Sequence, residues 1–460
     1  MTQAETELAR IWQLAGLESG VLPAASLPDA SPTFASSFRC GLIAQTSIGA
    51  AAAAAAAIYE ARTAKAQSIS VERRAAELEC TGYFKLNGEK LNAWEKFSGL
   101  YPTADGYLRI HANFEHHRDG VLRLLGLGAA ESLDKASLAA ALSRVSAAEF
   151  ETQAMARGLV VAKVRDFKEW DAHPHAQWSV KQPLIKLTKI ADAPARRLDN
   201  MNADERPLSG VRVLDLTRIL AGPVAGRTLA AYGADVMLVN SPTLPNISSI
   251  VDTSRGKRSA LVDLSTANGV RKLQSLAGRA QVFIQGYRPG GLAKLGFSPS
   301  ELAALNPGIV YVSLSAYGSG GHWSERRGFD SLVQSVAGFN HAEAQSSRAD
   351  LPQSLPMPIL DYASGFLMAF GTQAAMLRQM SEGGSWHVEV SLLKTADWLR
   401  ELGQYDSQNE PEKVNFNNEL QPFLCDQGEL LAIPHAAQFS TTPARWERAS
   451  VVPGADVADW

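Results

Sequence analysis

Hydrophobic positions fall into two regimes along the chain. From residue 207 onward, short apolar runs alternate with longer helical stretches, the pattern of a parallel α/β unit. Val211-Arg-Val-Leu-Asp-Leu predicts a strand, Pro223 to Tyr232 a helix, and Ala234 to Asn240 a second strand. Lys257 to Asp263, Gln281 to Gln285 and Ile309 to Leu314 predict further strands, with a helix over Gly269 to Gly278. The first 195 residues read as a mixed α+β module. Ser47 to Arg62 predicts an alanine-rich helix, Gly106 to Asn113 a strand, and Arg118 to Leu127 and Ala136 to Leu159 amphipathic helices. Strand character returns at Val160 to Val164 and Leu184 to Thr188.

Between the regimes lies 196–206, Arg-Arg-Leu-Asp-Asn-Met-Asn-Ala-Asp-Glu-Arg, a polar run without apolar period that reads as a linker. Two landmarks also recur. Ala44-Gln45-Thr-Ser-Ile-Gly49 and its alanine-rich helix mirror Leu360-Asp361-Tyr-Ala-Ser-Gly365 and its apolar helix. Leu184-Ile-Lys-Leu-Thr mirrors Leu430-Leu-Ala-Ile-Pro. The expected organisation is a helical partial copy of the large domain (1–80), then a small α+β domain with its return strand (81–195). After the linker (196–206) come a Rossmann-like domain (207–340) and a catalytic helix with a C-terminal return segment (341–460).

Composition narrows the class. The 460 residues suffice for two or three domains, and 46% hydrophobic with 20% charged residues is ordinary for a soluble enzyme. A net charge of −3 argues against nucleic acid and membrane surfaces as partners. The three scattered cysteines suggest neither a disulfide framework nor a zinc site, and the acidic amino terminus does not read as a leader. These features predict a cytoplasmic protein. Leu-Thr-Arg-Ile-Leu-Ala-Gly-Pro follows the first strand where a dinucleotide site would carry Gly-x-Gly-x-x-Gly, and no Walker motif is present. His111, His116 and His117 have no carboxylate or cysteine at ligand spacing and read as surface histidines, so no metal is expected.

Asp361 stands in Pro356-Met-Pro-Ile-Leu-Asp361-Tyr-Ala-Ser-Gly365, at the mouth of a long apolar helix whose N–H groups favour a carboxylate. With Gly210-Val-Arg-Val-Leu-Asp-Leu-Thr-Arg218-Ile-Leu-Ala221-Gly-Pro223, this tract resembles the class III (CaiB/BaiF-type) CoA-transferases. Arg255-Gly-Lys-Arg-Ser-Ala-Leu-Val-Asp-Leu, Gly286-Tyr287-Arg288-Pro289-Gly290, Leu295-Gly-Phe and Gly328-Phe329-Asp330 fall in that family's order from Leu208 to Leu399. The family's small domain resembles 100–108 and 171–177 here, ahead of the Rossmann half, as in a fused, rearranged chain.

The resemblance implies a Rossmann-like parallel sheet with a small α+β domain, and Asp361 as covalent nucleophile. It implies CoA contacts at Arg218, Ile219, Ala221, Tyr287, Lys294 and Arg327. Its substrates would be an acyl-CoA and a carboxylic acid, with CoA as substrate and no separate cofactor, in a homodimer. Gln45 occupies the position of a first nucleophile, leaving one catalytic Asp per chain. Related racemases carry His where Phe329 stands, and Phe cannot move a proton. A non-catalytic CoA-binding subunit is the third reading. The Arg255 to Arg258 run is expected to be structural or phosphate-facing, Gly318-Ser-Gly320-Gly321 to offer oxyanion donors or a plain turn, and His322 and Trp323 to line the acyl pocket or to pack.

Overall fold

The computed structural model describes residues 1–92, 94–202, 205–405 and 413–460, so linker positions 203–204 lie outside it. Its centre is a seven-stranded sheet. In chain order the strands are β1 (Ile185–Ala191), β2 (Arg212–Leu216), β3 (Asp235–Asn240), β4 (Arg258–Leu261), β5 (Val282–Gln285), β6 (Val310–Ser315) and β7 (Ser385–Ser391). They lie in the order β4-β3-β2-β5-β6-β7-β1, all parallel except β1, which runs antiparallel to β7. Valine-rich runs such as Val211-Arg-Val-Leu are buried on both faces, as parallel strands flanked by helices must be. The order reverses beside β2, whose neighbours are β3 and β5, and a crevice opens there at the carboxyl ends. This α/β architecture is the predicted one.

Two long helices cross the core. The alanine-rich α1 (Cys40–Thr63) is buried from Cys40 to Tyr59 and packs on α4 (Ile359–Glu382) within the same chain. Gln373 Nε2 donates to Ala51 O at 3.0 Å across that interface. By length and composition α1 could cross a membrane, yet here it is wrapped by protein on every side. Small side chains let the backbones approach. A Cβ at Gly365 would come within 2.5 Å of Ala221 O, at the start of α2 (Ala221–Ala231).

A smaller unit carries its own sheet (Gly99–Pro102, Tyr107–Ile110, Val161–Lys163) and a core of Phe97, Tyr101, Leu108, Val121 and Phe150. The single helix expected over 136–159 is two, Lys135–Leu142 and Ala147–Ala156. Asp105 causes the break, because its carboxylate accepts from Ala147 N and Ser146 Oγ, both at 2.7 Å, and so starts the second helix.

The second pair of repeated landmarks takes up unlike positions. Ile185–Ala191 closes the edge of the large sheet beside β7, whereas Leu430–Ala432 pairs with Phe84–Leu86 of the amino-terminal part. Gln45, which the expected repeat aligns with Asp361, is fully enclosed in α1. Its amide donates to Pro28 O at 2.9 Å and Val71 O at 2.8 Å, and its oxygen accepts from Arg73. That position is filled by protein.

Candidate active site

The turn between β2 and α2 is fixed from beneath. Asp215, with no exposure, accepts Lys257 Nζ at 2.8 Å, and Lys257 also donates to Pro223 O at 2.8 Å. Only glycine fits over this pair, because a Cβ at Gly226 would meet Asp215 Oδ2 at 2.3 Å. The turn holds Ile219 at φ 77°, a left-handed conformation unfavourable for a β-branched residue and therefore imposed by its surroundings.

Above the turn lies a cavity of about 370 Å³ at the carboxyl ends of the strands. Arg218, Ile219 and Ala221 enter it after β2, and Tyr287 and Arg288 after β5. Arg326, Arg327 and Phe329 come from the segment before α3 (Asp330–Val336), Asp361 from α4, and Phe114, His116 and His117 from the small unit. Six of the seven sequence-predicted site residues thus meet in one cavity. Lys294 does not line it and is exposed on a short turn, Ala293–Leu295.

Asp361 is partly open to the cavity and otherwise enclosed by protein. Its helix starts after Pro358 with no side-chain cap of its own. Asp330 supplies one from a distance: its Oδ2 accepts Asp361 N–H at 3.0 Å, and the Leu360 amide also reaches it. Gln334 donates to the other Asp330 oxygen while its own oxygen accepts Leu355 N–H at 3.0 Å. Burial raises the Asp330 carboxyl to about 6, against the opposing effect of these hydrogen bonds and of Arg109. Burial, and then the Asp330 charge, hold Asp361 well above the usual carboxylate range. A carboxylate raised in this way is more basic than one in water. Sequence reasoning noted Asp330 only as part of a motif, since its partner is remote in sequence.

Among the described residues, Asp361 is the only carboxylate lining a cavity that four arginines also line. Arg218 donates to Pro245 O and lies 5.6 Å from the Phe114 ring centre. Arg327 donates to His117 Nε2 at 3.2 Å, and its Nε has no partner among the described residues. Arg326 is held by Glu151 at 2.7 Å and Val161 O at 2.9 Å.

Two of the three histidines depart from expectation, while His116 is exposed as expected. His111 and His117 are 5% and 4% exposed, not surface residues, because the small unit packs them onto the large domain. His111 stacks on Phe329 at 4.1 Å, and His117 receives Arg327. Burial first, then Arg109 for His111 and His116 for His117, lowers both to about 3, so both are neutral. Gly318, Gly320 and Gly321 lie under Trp178, where a Cβ would come within 2.7–2.9 Å of the ring, and none of the run lines the Asp361 cavity. Trp323 packs between Trp170 and Tyr317, and His322 is exposed. The basic run is structural: Arg255 pairs with Asp252 and stacks on Trp446 at 4.0 Å, and Arg258 pairs with Asp235 at 3.0 Å.

Residues 208–433, just under half of the chain, match the model of CoA-transferase family III. The chain is 32% identical over 320 residues to an acyl-CoA transferase of Gibberella moniliformis, covering 64% of this chain and 55% of that one. It is 34% identical to a probable fatty acyl-CoA transferase of Mycobacterium tuberculosis (42% and 52%) and 33% identical to a succinate–glutarate CoA-transferase of Agrobacterium fabrum (41% and 51%). The chain thus spans about half the length of these relatives. A crystal structure of the Mycobacterium tuberculosis protein aligns with a TM-score of 0.40 at 33% identity, over 43% of this chain and 58% of that one.

Proposed function

We propose that this protein is a CoA-transferase that moves CoA from an acyl-CoA to a carboxylic acid, with Asp361 as the nucleophile. The observation that carries the reading is a single carboxylate, held basic at a helix start, in a cavity otherwise furnished with arginines. The match of residues 208–433 to CoA-transferase family III and the relatives' names support it.

The Asp361 carboxylate attacks the thioester carbonyl, and CoA thiolate leaves, giving a mixed anhydride. The thiolate then attacks the aspartyl carbonyl, releasing the first acid and forming an aspartyl-CoA thioester. The incoming carboxylate reverses both steps, restoring Asp361 and yielding the new acyl-CoA. Both intermediates leave Asp361 uncharged, which relieves its repulsion with Asp330. On this reading the N–H groups at the start of α2, whose Ala221 lines the cavity, stabilise the negative charge that develops. Arg218, Arg288 and Arg327, with Tyr287, Ile219 and Ala221 as the floor, receive the CoA phosphates and pantetheine, and Lys294 extends the basic surface outside the cavity. No metal or cofactor other than CoA is invoked.

The proposal includes a cytoplasmic homodimer. The domain scheme is also part of it: the first copy supplies the small unit over the site and the edge strand β1, and the second supplies the other six strands and the nucleophile. Racemization of an acyl-CoA would need a proton carrier where Phe329 lies against His111. Acyl-exchange assays of Asp361→Ala decide the matter. Loss of exchange with unchanged CoA binding is expected, and retention of more than a few per cent of wild-type exchange contradicts the reading.

A further inference from the structure

We infer that the Asp361 end of the cavity accepts acyl groups that are apolar beyond the reacting carboxyl, so the acids exchanged are aliphatic or aromatic monocarboxylates and not dicarboxylates. This rests on the CoA-transferase reading above and adds the substrate class.

The immediate surroundings of Asp361 can be traced contact by contact. Asp330 holds the Asp361 amide, which brings its neighbour Phe329 into the wall. Gly365, one turn beyond Asp361, lies against Ala221 O, which brings Ile219, Leu220 and Ala221 alongside. Ser364 and Thr395 share a hydrogen bond at 2.7 Å, setting Leu392 beside the nucleophile's turn. Leu393 N–H donates to Ala316 O at 3.0 Å and adds Ala316. Phe329, Ile219, Leu220, Leu392 and Ala316 carry no side-chain donor.

The cations are held elsewhere. Arg326 is committed to Glu151, while Arg218, Arg288 and Arg327 are the groups that receive the CoA phosphates on the reading above, and among the described residues Asp361 forms no ion pair. Arg109, which acts on Asp330, is buried, lies 4.7 Å from the Trp94 ring centre and does not line the cavity. The cavity is therefore basic toward the small unit and apolar at the nucleophile. With CoA phosphates at the basic end, the acyl chain meets the apolar wall. There a second carboxylate would lose its water with no cation to replace it, whereas methylene or ring carbons gain by burial.

The test compares hexanoyl-CoA with succinyl-CoA on the full chain, reading binding by calorimetry to Asp361→Asn and covalent modification of wild type by intact mass. Hexanoyl-CoA is expected to bind and modify at least tenfold better. Equal or better binding of succinyl-CoA overturns the inference. Modification by neither donor refutes the CoA-transferase reading, and the binding comparison still decides the character of the pocket.

Discussion

Asp330 Oδ2 accepts the backbone N–H of Asp361 at 3.0 Å, so one buried carboxylate anchors the helix turn that presents the other. The same contact sets two carboxyl groups close together, one buried and one partly open to the cavity.

The pH profile of acyl exchange should follow from that pair. On the proposed mechanism Asp361 must be ionised to attack, and its carboxyl is raised by burial and by Asp330. The acid limb should therefore lie above the ordinary carboxyl range. Asp330→Asn keeps an oxygen for the Asp361 amide but removes the charge. It should shift the limb to lower pH and slow exchange at neutral pH, where a less basic carboxylate is the weaker nucleophile. An unmoved limb would separate Asp330 from the chemistry.

Stability should show the opposite face of the same repulsion. Both folded-state carboxyls lie above the ordinary value of about 3.9, Asp330 at about 6. Their contribution is complete below the unfolded value and is lost as pH rises through the folded ones. Asp361→Asn should therefore melt about 1–3 °C above wild type at pH 8, with the gain shrinking toward pH 4.5. A constant difference across that range would show that the charges are not coupled.

How much of this was visible in the chain depended on locality. The strands of the parallel sheet were legible because burial on both faces writes continuous apolar runs, and Asp361 was singled out by the family resemblance of its tract, since a helix mouth alone would read as a cap. Asp330 was not, since it begins its own helix and its bond to Asp361 spans 31 residues. The environment of His111 and His117 was equally hidden, because docking of one unit on another buries them and no local pattern records it. Lys294 was placed by family order alone, and it lies outside the cavity.

Arg327 and Arg218 should matter for CoA more than Lys294 does. Arg327→Ala or Arg218→Ala should weaken CoA binding by about 1–2 kcal/mol, the scale of a lost charge-assisted hydrogen bond. Lys294→Ala, at an exposed position, should cost under about 1 kcal/mol and fade with salt. Titration calorimetry at two ionic strengths checks the ranking, and a dominant Lys294 would move the phosphates out of the cavity.

Assembly is a separate matter, because α1 and α4 already cover one another within one chain. The homodimer proposal expects light scattering at roughly twice the 49.4 kDa chain mass. A monomer that transfers CoA would show that fusion of two partial copies has replaced dimerisation.

The central claim is that Asp361 becomes covalently bound during turnover. Wild-type protein incubated with hexanoyl-CoA, quenched with hydroxylamine and digested should yield one modified peptide, carrying aspartyl hydroxamate at Asp361. Asp361→Ala should yield none. Exchange activity in wild type with no modification at Asp361, or with modification at another residue, would contradict the account.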